Sequence, residues 1–231
     1  MIGQKSDDFF GVGFEVFNPD SATLRKLPDY PGNQTVNPVI IADDSVIYAG
    51  CGLMAYTSYH YWYSDFWKYS PATNRWTRLA DCPYYVSFSN QVFIDGRLIF
   101  LGHLGLFYQL EYHPMTNTWS QTEMNEAELG YWLLLGFKYG ARVSVVNDGK
   151  WYVGFGDWYQ NNEDYGTTDP GINNRFYSFD PYDNSWVTLK NVAAPPRTFA
   201  LSFSIGGKIY IGGHQIYEWR DFWEYDPLLD Q

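Results

Sequence analysis

Aromatic side chains placed among amides and carboxylates are suited to binding sugars, and three segments of this sequence have that composition. The ring face of Tyr or Trp covers the apolar face of a pyranose, while amides and carboxylates bind its hydroxyls. Tyr and Trp are also common at protein-binding surfaces, and packing within a long loop would explain the same residues. The candidate ligand-binding residues are Tyr59, Tyr61, Trp62, Trp132, Trp158 and Tyr159.

Four acidic residues in the third of these segments form a candidate cation site. Carboxylate oxygens are the ligands that Ca²⁺ prefers, and a bound ion would help to order so long a loop. The spacing follows no calcium motif, and a solvated acidic loop explains it equally well. The predicted structural calcium ligands are Asp157, Glu163, Asp164 and Asp169. We predict no other cofactor.

A repeat runs through the chain and must position these segments. In five places an aromatic residue stands two positions before a proline, at Pro19, Pro71, Pro114, Pro181 and Pro227. In the first four copies a large apolar residue stands five positions after the proline. The interval of roughly fifty residues, with strands inside it, is typical of a β-propeller blade.

Each repeat contains four predicted strands, a to d. Residues 201–205 and 208–212 are apolar runs joined by Gly206-Gly207, which predicts a hairpin of strands a and b. Strand c precedes the proline, and a Pro-x-x-Asn turn leads into strand d. We count four a, four b, five c and four d strands.

The connections between strands fall into two classes. Those from a to b and from c to d are uniformly short. The long ones, residues 52–64, 121–140 and 157–174, all join b to c or d to a, so they leave the sheets at the same end. Long loops within a compact domain are usually functional, and these three carry the candidate residues.

The repeat resembles the kelch repeat. The segments 65–77 and 221–227, the Gly212-Gly213 pair and the Tyr-Asp-Pro turn match its pattern, most closely that of bacterial surface and secreted proteins. The other repeats depart from the glycine pair, so close strand packing there must be met differently. The resemblance implies an all-β, kelch-type β-propeller of four-stranded antiparallel blades.

The resemblance also implies two enzyme activities as alternatives to a binding role. One is a carbohydrate oxidase like galactose oxidase, whose copper site would use Cys51, His103 and His214 here, although His214 is one position out of register. The other is a sugar mutarotase, for which Arg142 and Arg197 are the basic candidates. We predict instead a non-catalytic recognition module, and no Ser-His-Asp arrangement or phosphate-binding glycine loop is present.

Charge and composition limit the partners. The 231 residues include 26 Asp plus Glu against 15 Lys plus Arg, and the net charge of −11 argues against nucleic acid or an anionic membrane. No apolar run is long enough to insert into a membrane. We expect a glycan ligand, or else a protein, at the cell surface or outside the cell.

Two cysteines exclude a disulfide scaffold; Cys51 and Cys82 are either a pair or, as we favour, two buried thiols.

The blades are predicted in a single propeller region over residues 1–231, with about four to five blades. The boundaries are a partial blade at 1–31, blades at 32–83, 84–125 and 126–195, and a partial blade at 196–231. A four-bladed ring would leave one c strand over. We therefore expect an open arc, completed by the rest of a larger propeller chain or by another copy.

Overall fold

The computed structural model describes residues 2–3, 13–33, 35, 38–56, 59–84, 86, 90–103, 107–123, 143–158, 171–189, 192–195, 200–213 and 221–230. Strands dominate, and one short 3-10 helix spans Pro227–Leu229. No helix in these ranges is long and apolar enough to cross a membrane. The strands are β1 Ile2–Gly3, β2 Gly13–Asn18, β3 Thr23–Lys26, β4 Val39–Ala42, β5 Ile47–Gly50, β6 Leu53–Tyr56, β7 Tyr59–Trp62, β8 Phe66–Ser70, β9 Arg75–Arg78, β10 Asn90–Ile94, β11 Arg97–His103, β12 Phe107–His113, β13 Thr118–Glu123, β14 Val143–Asn147, β15 Lys150–Trp158, β16 Gly171–Asp180, β17 Ser185–Thr188, β18 Leu201–Ile205, β19 Lys208–Gly212 and β20 Phe222–Tyr225.

The sheets are built from neighbouring strands in chain order. Three have four strands, in the orders β4-β5-β8-β9, β10-β11-β12-β13 and β14-β15-β16-β17. Two have three strands, β1-β2-β3 and β18-β19-β20, and β6-β7 forms a separate two-stranded sheet. Every predicted a, b, c and d strand has its counterpart within a few residues. The chain is therefore all-β, with the repeated antiparallel sheets of a β-propeller.

The chain divides into two compact units, each with its own core. The first comprises Met1–Phe88 with Met115–Trp119, and the second Ser89–Pro114 with Ser120–Gln231. The first unit packs Phe14, Leu27 and Tyr69 together, with Ile47 and Trp76 against them. The second contains two clusters, one around Trp151 and Phe179 and the other around Phe176 and Ile211. The predicted blade boundaries, and the number of blades in a ring, stay predictions.

Backbone conformation explains the short turns. Asp95-Gly96 and Asp148-Gly149 have positive φ at both positions, as a two-residue hairpin that matches the strand twist requires. The Pro-x-x-Asn turns place their asparagine in the left-handed region, with φ of 54° at both Asn74 and Asn117 and 62° at Asn184. Asparagine tolerates this conformation better than most residues, so the local sequence specifies the c-to-d turn.

The end of strand b shows why glycine recurs there. A Cβ on Gly50 would lie 2.2 Å from the carbonyl oxygen of Asp65, just before strand c, and one on Gly154 would lie 2.2 Å from that of Arg175 in strand c, so the backbones approach too closely for a side chain. The next residue is left-handed. It is Gly213 in the last sheet, but Cys51 and Phe155 take φ of 56° elsewhere and are buried. Only the first glycine is needed for packing, and the second can be replaced at some cost in strain.

Aromatic residues at repeat positions pack neighbouring sheets together. Phe14 of β2 lies 5.2 Å from the Trp76 ring, and Phe66 of β8 lies 5.1 Å from the Trp119 ring. The indole nitrogens of these two tryptophans donate to the backbone carbonyls of Pro28 and Ala80. The sequence predicts as core the recurring residues Tyr48, Tyr152, Tyr210, Trp76, Trp119 and Trp186. Tyr48 and Tyr152 are buried and the other four are half-buried.

Three parts of the strand prediction were wrong in detail. Residues 52–64 are not a plain loop, because β6 and β7 form a hairpin inside them. Strands β15 and β16 extend further than predicted, so residues 157–158 pair with residues 171–172 at the two ends of the third long connection. Strand β1 pairs with β2 and was not predicted. Most of the second connection, residues 124–140, lies outside the described residues.

Candidate functional site

The β6–β7 hairpin projects from the end of strand b in the second repeat. Its register pairs Leu53 with Trp62 and Met54 with Tyr61. Two backbone hydrogen bonds hold its base, from Tyr63 N to Gly52 O at 3.0 Å and from Gly52 N to Val86 O at 2.9 Å. The alternating aromatic residues of this segment suit a pleated strand, which is why it pairs instead of forming an irregular loop.

The described residues test part of the predicted aromatic set. Tyr61 is 64% exposed, and Trp62 beside it is half-buried. Tyr59 lies in β7 and Trp158 at the end of β15, but their side chains are outside the described part of the structure. Trp132 and Tyr159 lie outside the described residues altogether. Of the two predicted side chains that the structure describes, Tyr61 is therefore the one with a large aromatic surface in solvent.

A buried carboxylate lies directly after the hairpin and fixes its position. Asp65 is only 6% exposed. One of its oxygens accepts from Asn33 Nδ2 at 2.8 Å, and the other accepts from Asn33 N at 3.1 Å, Trp67 Nε1 at 3.0 Å and Tyr30 Oη at 3.3 Å. Tyr30 and Asn33 belong to the d-to-a connection before β4. The carboxylate thus ties that connection to the base of the hairpin.

The acidity of this group follows from its hydrogen bonds. Burial raises the pKa of Asp65, but the donated bonds from Asn33, Trp67 and Tyr30 outweigh it and leave the pKa below its ordinary value. Burial, together with the neighbouring negative charge of Asp65, raises the pKa of Tyr30. Asp65 is therefore ionised at neutral pH with both oxygens occupied, which suits a structural anchor and not a proton-transfer group.

A short motif in the sequence, separate from the proline and glycine patterns of the repeat, indicates the bond between Asp65 and Trp67. Asp-Phe-Trp occurs at 65–67 and again at 221–223, and the second copy makes the same bond, from Trp223 Nε1 to Asp221 Oδ2 at 2.5 Å. An acidic residue two positions before a tryptophan in one strand lies on the same face, so its carboxylate reaches the indole N–H. The recurrence indicates the pair, but not the additional donors at Asp65.

The two cysteines lie close together near this anchor. Both are free and buried, which confirms the prediction of two buried thiols. A hydrogen bond to the Cys82 thiol, followed by burial, raises the pKa of Cys51 well above its ordinary value. Cys82 Sγ in turn donates to Tyr84 O. A protonated, buried thiol is a poor nucleophile and a poor metal ligand.

The predicted metal and oxidase residues fall mostly outside the described residues. Asp157 lies in β15 with its side chain undescribed, and Glu163, Asp164 and Asp169 lie in the undescribed segment that follows. Of the oxidase set, His103 is described by its backbone in β11, and His214 is outside. Within the described ranges no group of three or more His, Cys, Asp or Glu side chains is placed to hold a metal ion. The calcium site stays a prediction.

A second polar network occupies β11 and β12 in the second unit. Arg97 forms an ion pair with Glu111 at 2.9 Å and donates to Pro181 O at 2.6 Å. Gln109 Nε2 donates to the other Glu111 oxygen and to Asn184 Oδ1. Asn184 and Pro181 belong to the c-to-d turn of the next repeat, so this network joins two sheets. Its hydrogen bonds serve packing between repeats.

Comparison with known proteins supports the fold and leaves the activity open. The chain is similar to a solved structure titled "Structure of YjhT", a kelch-type propeller, with a TM-score of 0.60 and 15% sequence identity, over 92% of this chain and 75% of that chain. No protein-family model matches the sequence, and no curated protein matches it. Because the identity is so low, the likeness carries the β-propeller fold alone.

Proposed function

We propose that this chain is a kelch-type propeller module that recognises carbohydrate without catalysis. The observation that carries the proposal is Tyr61, a large aromatic residue 64% exposed on a hairpin with an anchored base. A rigid aromatic platform stacks on a sugar ring at little cost in conformational entropy. Propellers are common binding and scaffold modules, which agrees with this role.

The polar contacts to such a ligand come from outside the anchor. Asp65 is the acidic group nearest in sequence to the hairpin, but Asn33, Trp67 and Tyr30 already occupy its oxygens. The sugar hydroxyls are instead bound by the amides and carboxylates of residues 157–165. On this proposal Trp62, Trp132, Trp158 and Tyr159 extend the platform, and Asp157, Glu163, Asp164 and Asp169 bind a calcium ion that orders their loop.

A glycan array with matched aromatic variants tests the proposal. Tyr61→Ala should abolish selective glycan binding and leave thermal stability nearly unchanged, because the ring is exposed. Tyr182→Ala is the control. Tyr182 is 96% exposed in a c-to-d turn, at the opposite end of its own sheet from the long connections. That variant should bind like the unchanged protein.

Two outcomes would contradict the proposal. If no glycan binds selectively to a monodisperse sample, the module does not recognise carbohydrate, and a protein partner becomes the better explanation of the same aromatic surface. If Tyr61→Ala and Tyr182→Ala lower binding equally, the hairpin is not the platform. Repeating the array with a calcium chelator tests the acidic loop separately.

The expected location follows from the proposed ligand. A module that binds glycans would act at the cell surface or outside the cell, where the bacterial kelch-type proteins it resembles are found. Cell fractionation with an antibody to the native protein tests this expectation. Recovery in the cytoplasmic fraction alone would contradict it.

A further inference from the structure

The last described sheet turns its apolar side chains toward solvent. In β18 the residues Leu201, Phe203 and Ile205 are exposed, while Ser202 and Ser204 between them are half-buried. This is the reverse of the usual arrangement, in which the apolar face of a strand packs inward. Phe222 of β20 lies on the same face, since it pairs with Gly212, which pairs with Leu201. We call Leu201, Phe203, Ile205 and Phe222 the terminal patch.

The repeat shows what covers this face elsewhere. In the third repeat the residue five positions before the proline is Gln109, and in the other four repeats it is Phe14, Phe66, Phe176 or Phe222. The first three of these phenylalanines are at most 4% exposed, whereas Phe222 is 58% exposed. Each buried phenylalanine packs against an aromatic ring of the next repeat, as Phe176 does with the ring of Tyr225 at 5.2 Å. Phe222 is therefore shaped for a contact of the same kind.

The first unit carries a surface that fits this contact. In the second repeat the cross-strand pair Tyr69 and Trp76 receives Phe14, with ring centroids 5.1 and 5.2 Å apart. The equivalent pair in the first repeat is Phe17 and Leu24, directly opposite each other in β2 and β3. These two side chains are 56% and 66% exposed, and we call them the Phe17–Leu24 patch.

The charges beside the two patches are largely paired within one chain. Lys26, two positions after Leu24, forms an ion pair with Asp29, and Glu224, two positions after Phe222, forms one with Lys208. The apolar contact therefore drives the association, against the net charge of −11.

We propose that a second copy of this chain binds head to tail. The Phe17–Leu24 patch of one copy packs against the terminal patch of the other, in the same way that Tyr69 and Trp76 pack against Phe14 within one chain. The interface uses different surfaces on the two copies, so association leaves one patch of each kind open unless a ring closes. The mass in solution should therefore exceed that of one chain and rise with concentration.

Light-scattering mass measurements across a concentration series test the interface. Phe222→Asp and Leu24→Asp should each weaken association at least about 30-fold, as for a central aromatic or aliphatic contact. Tyr182→Asp, at a position 96% exposed, is the matched control and should associate normally. Circular dichroism melting verifies that each variant is folded, which is expected because all three side chains lie in solvent.

Mixing the two variants distinguishes head-to-tail association from every symmetric alternative. Phe222→Asp keeps an intact Phe17–Leu24 patch, and Leu24→Asp keeps an intact terminal patch. The mixture should therefore form a dimer with one complete interface, although neither variant associates alone. A monomeric mass for the unchanged protein at every concentration, an unaltered mass in either variant, or a monomeric mixture would each overturn the proposal.

Discussion

Replacing Asp65 by Asn tests the role of the anchor under the hairpin. The change keeps the size of the side chain but leaves one carbonyl oxygen where the carboxylate has two. Four donated bonds, from Asn33 N, Asn33 Nδ2, Trp67 Nε1 and Tyr30 Oη, converge on that carboxylate. An amide NH₂ cannot accept a hydrogen bond, and three of the four donors share one oxygen. The asparagine therefore keeps its carbonyl oxygen at that position, loses the bond from Asn33 Nδ2 and leaves the other three as bonds to an uncharged oxygen.

The size of the effect follows from the kind of bond. A hydrogen bond to a charged group contributes about 1.5–3 kcal/mol and one between neutral groups about 1 kcal/mol. The loss of one bond and the weakening of three therefore predict that Asp65→Asn lowers the free energy of unfolding by about 3 kcal/mol. Asp221→Asn is the matched control. Its carboxylate is half-buried and accepts from the indole of Trp223, and an asparagine carbonyl oxygen can keep that bond as a weaker neutral one, so we expect a loss of about 1 kcal/mol.

Urea unfolding of the three proteins at neutral pH measures both values, and the pH dependence provides a second test. The folded pKa of Asp65 is lowered, so its extra stabilisation is fully present above the unfolded pKa, near 3.9, and is lost as the pH falls through the folded pKa. The difference between unchanged protein and Asp65→Asn should therefore be constant from about pH 5 to 8 and shrink below about pH 4. A loss at Asp65 no larger than that at Asp221, or a difference that grows in acid, would refute the reasoning.

Other predictions concern strand contact, sheet packing and the thiols. Gly154→Ala should lower the free energy of unfolding by about 3 kcal/mol, because its Cβ would lie 2.2 Å from a carbonyl oxygen. Gly149→Ala meets open space and should lower it by about 1 kcal/mol, because the residue keeps a left-handed φ of 73°. Equal losses in urea unfolding would contradict this. Trp119→Phe keeps the ring contact but loses the indole hydrogen bond to a backbone carbonyl, so thermal unfolding should show a loss of about 1 kcal/mol, and an unchanged midpoint would show that the bond is dispensable. Cys51 and Cys82 should react with a thiol reagent slowly in the native protein and quickly in denaturant, because both are buried and the pKa of Cys51 is raised; equally fast labelling in both states would be inconsistent with the packing.

Local sequence was sufficient for the regular parts of the fold. Asp-Gly and Pro-x-x-Asn fix the turns through backbone conformations that few other residues adopt, so the strands on either side could be placed within a few residues. The hairpin of β6 and β7 was not predicted, because a run of aromatic residues suits a recognition loop and a strand equally well. The hairpin itself is local, since Leu53 pairs with Trp62 and Tyr56 with Tyr59, whereas the bond from Gly52 N to Val86 O joins its base to a segment distant in sequence.

By itself the sequence determined the repeat, the antiparallel strands and the aromatic composition of the long connections, because periodicity and turn residues act over a few positions. Only the tertiary structure decided which polar and aromatic side chains are exposed and able to contact a ligand or partner. Asp65 and Asp221 occupy the same place in the repeat, but Asp65 is buried with donors from two parts of the chain around it, whereas Asp221 is half-buried. Phe176 and Phe222 are likewise equivalent in sequence, and burial separates them because a side chain's environment is set by residues from other parts of the chain.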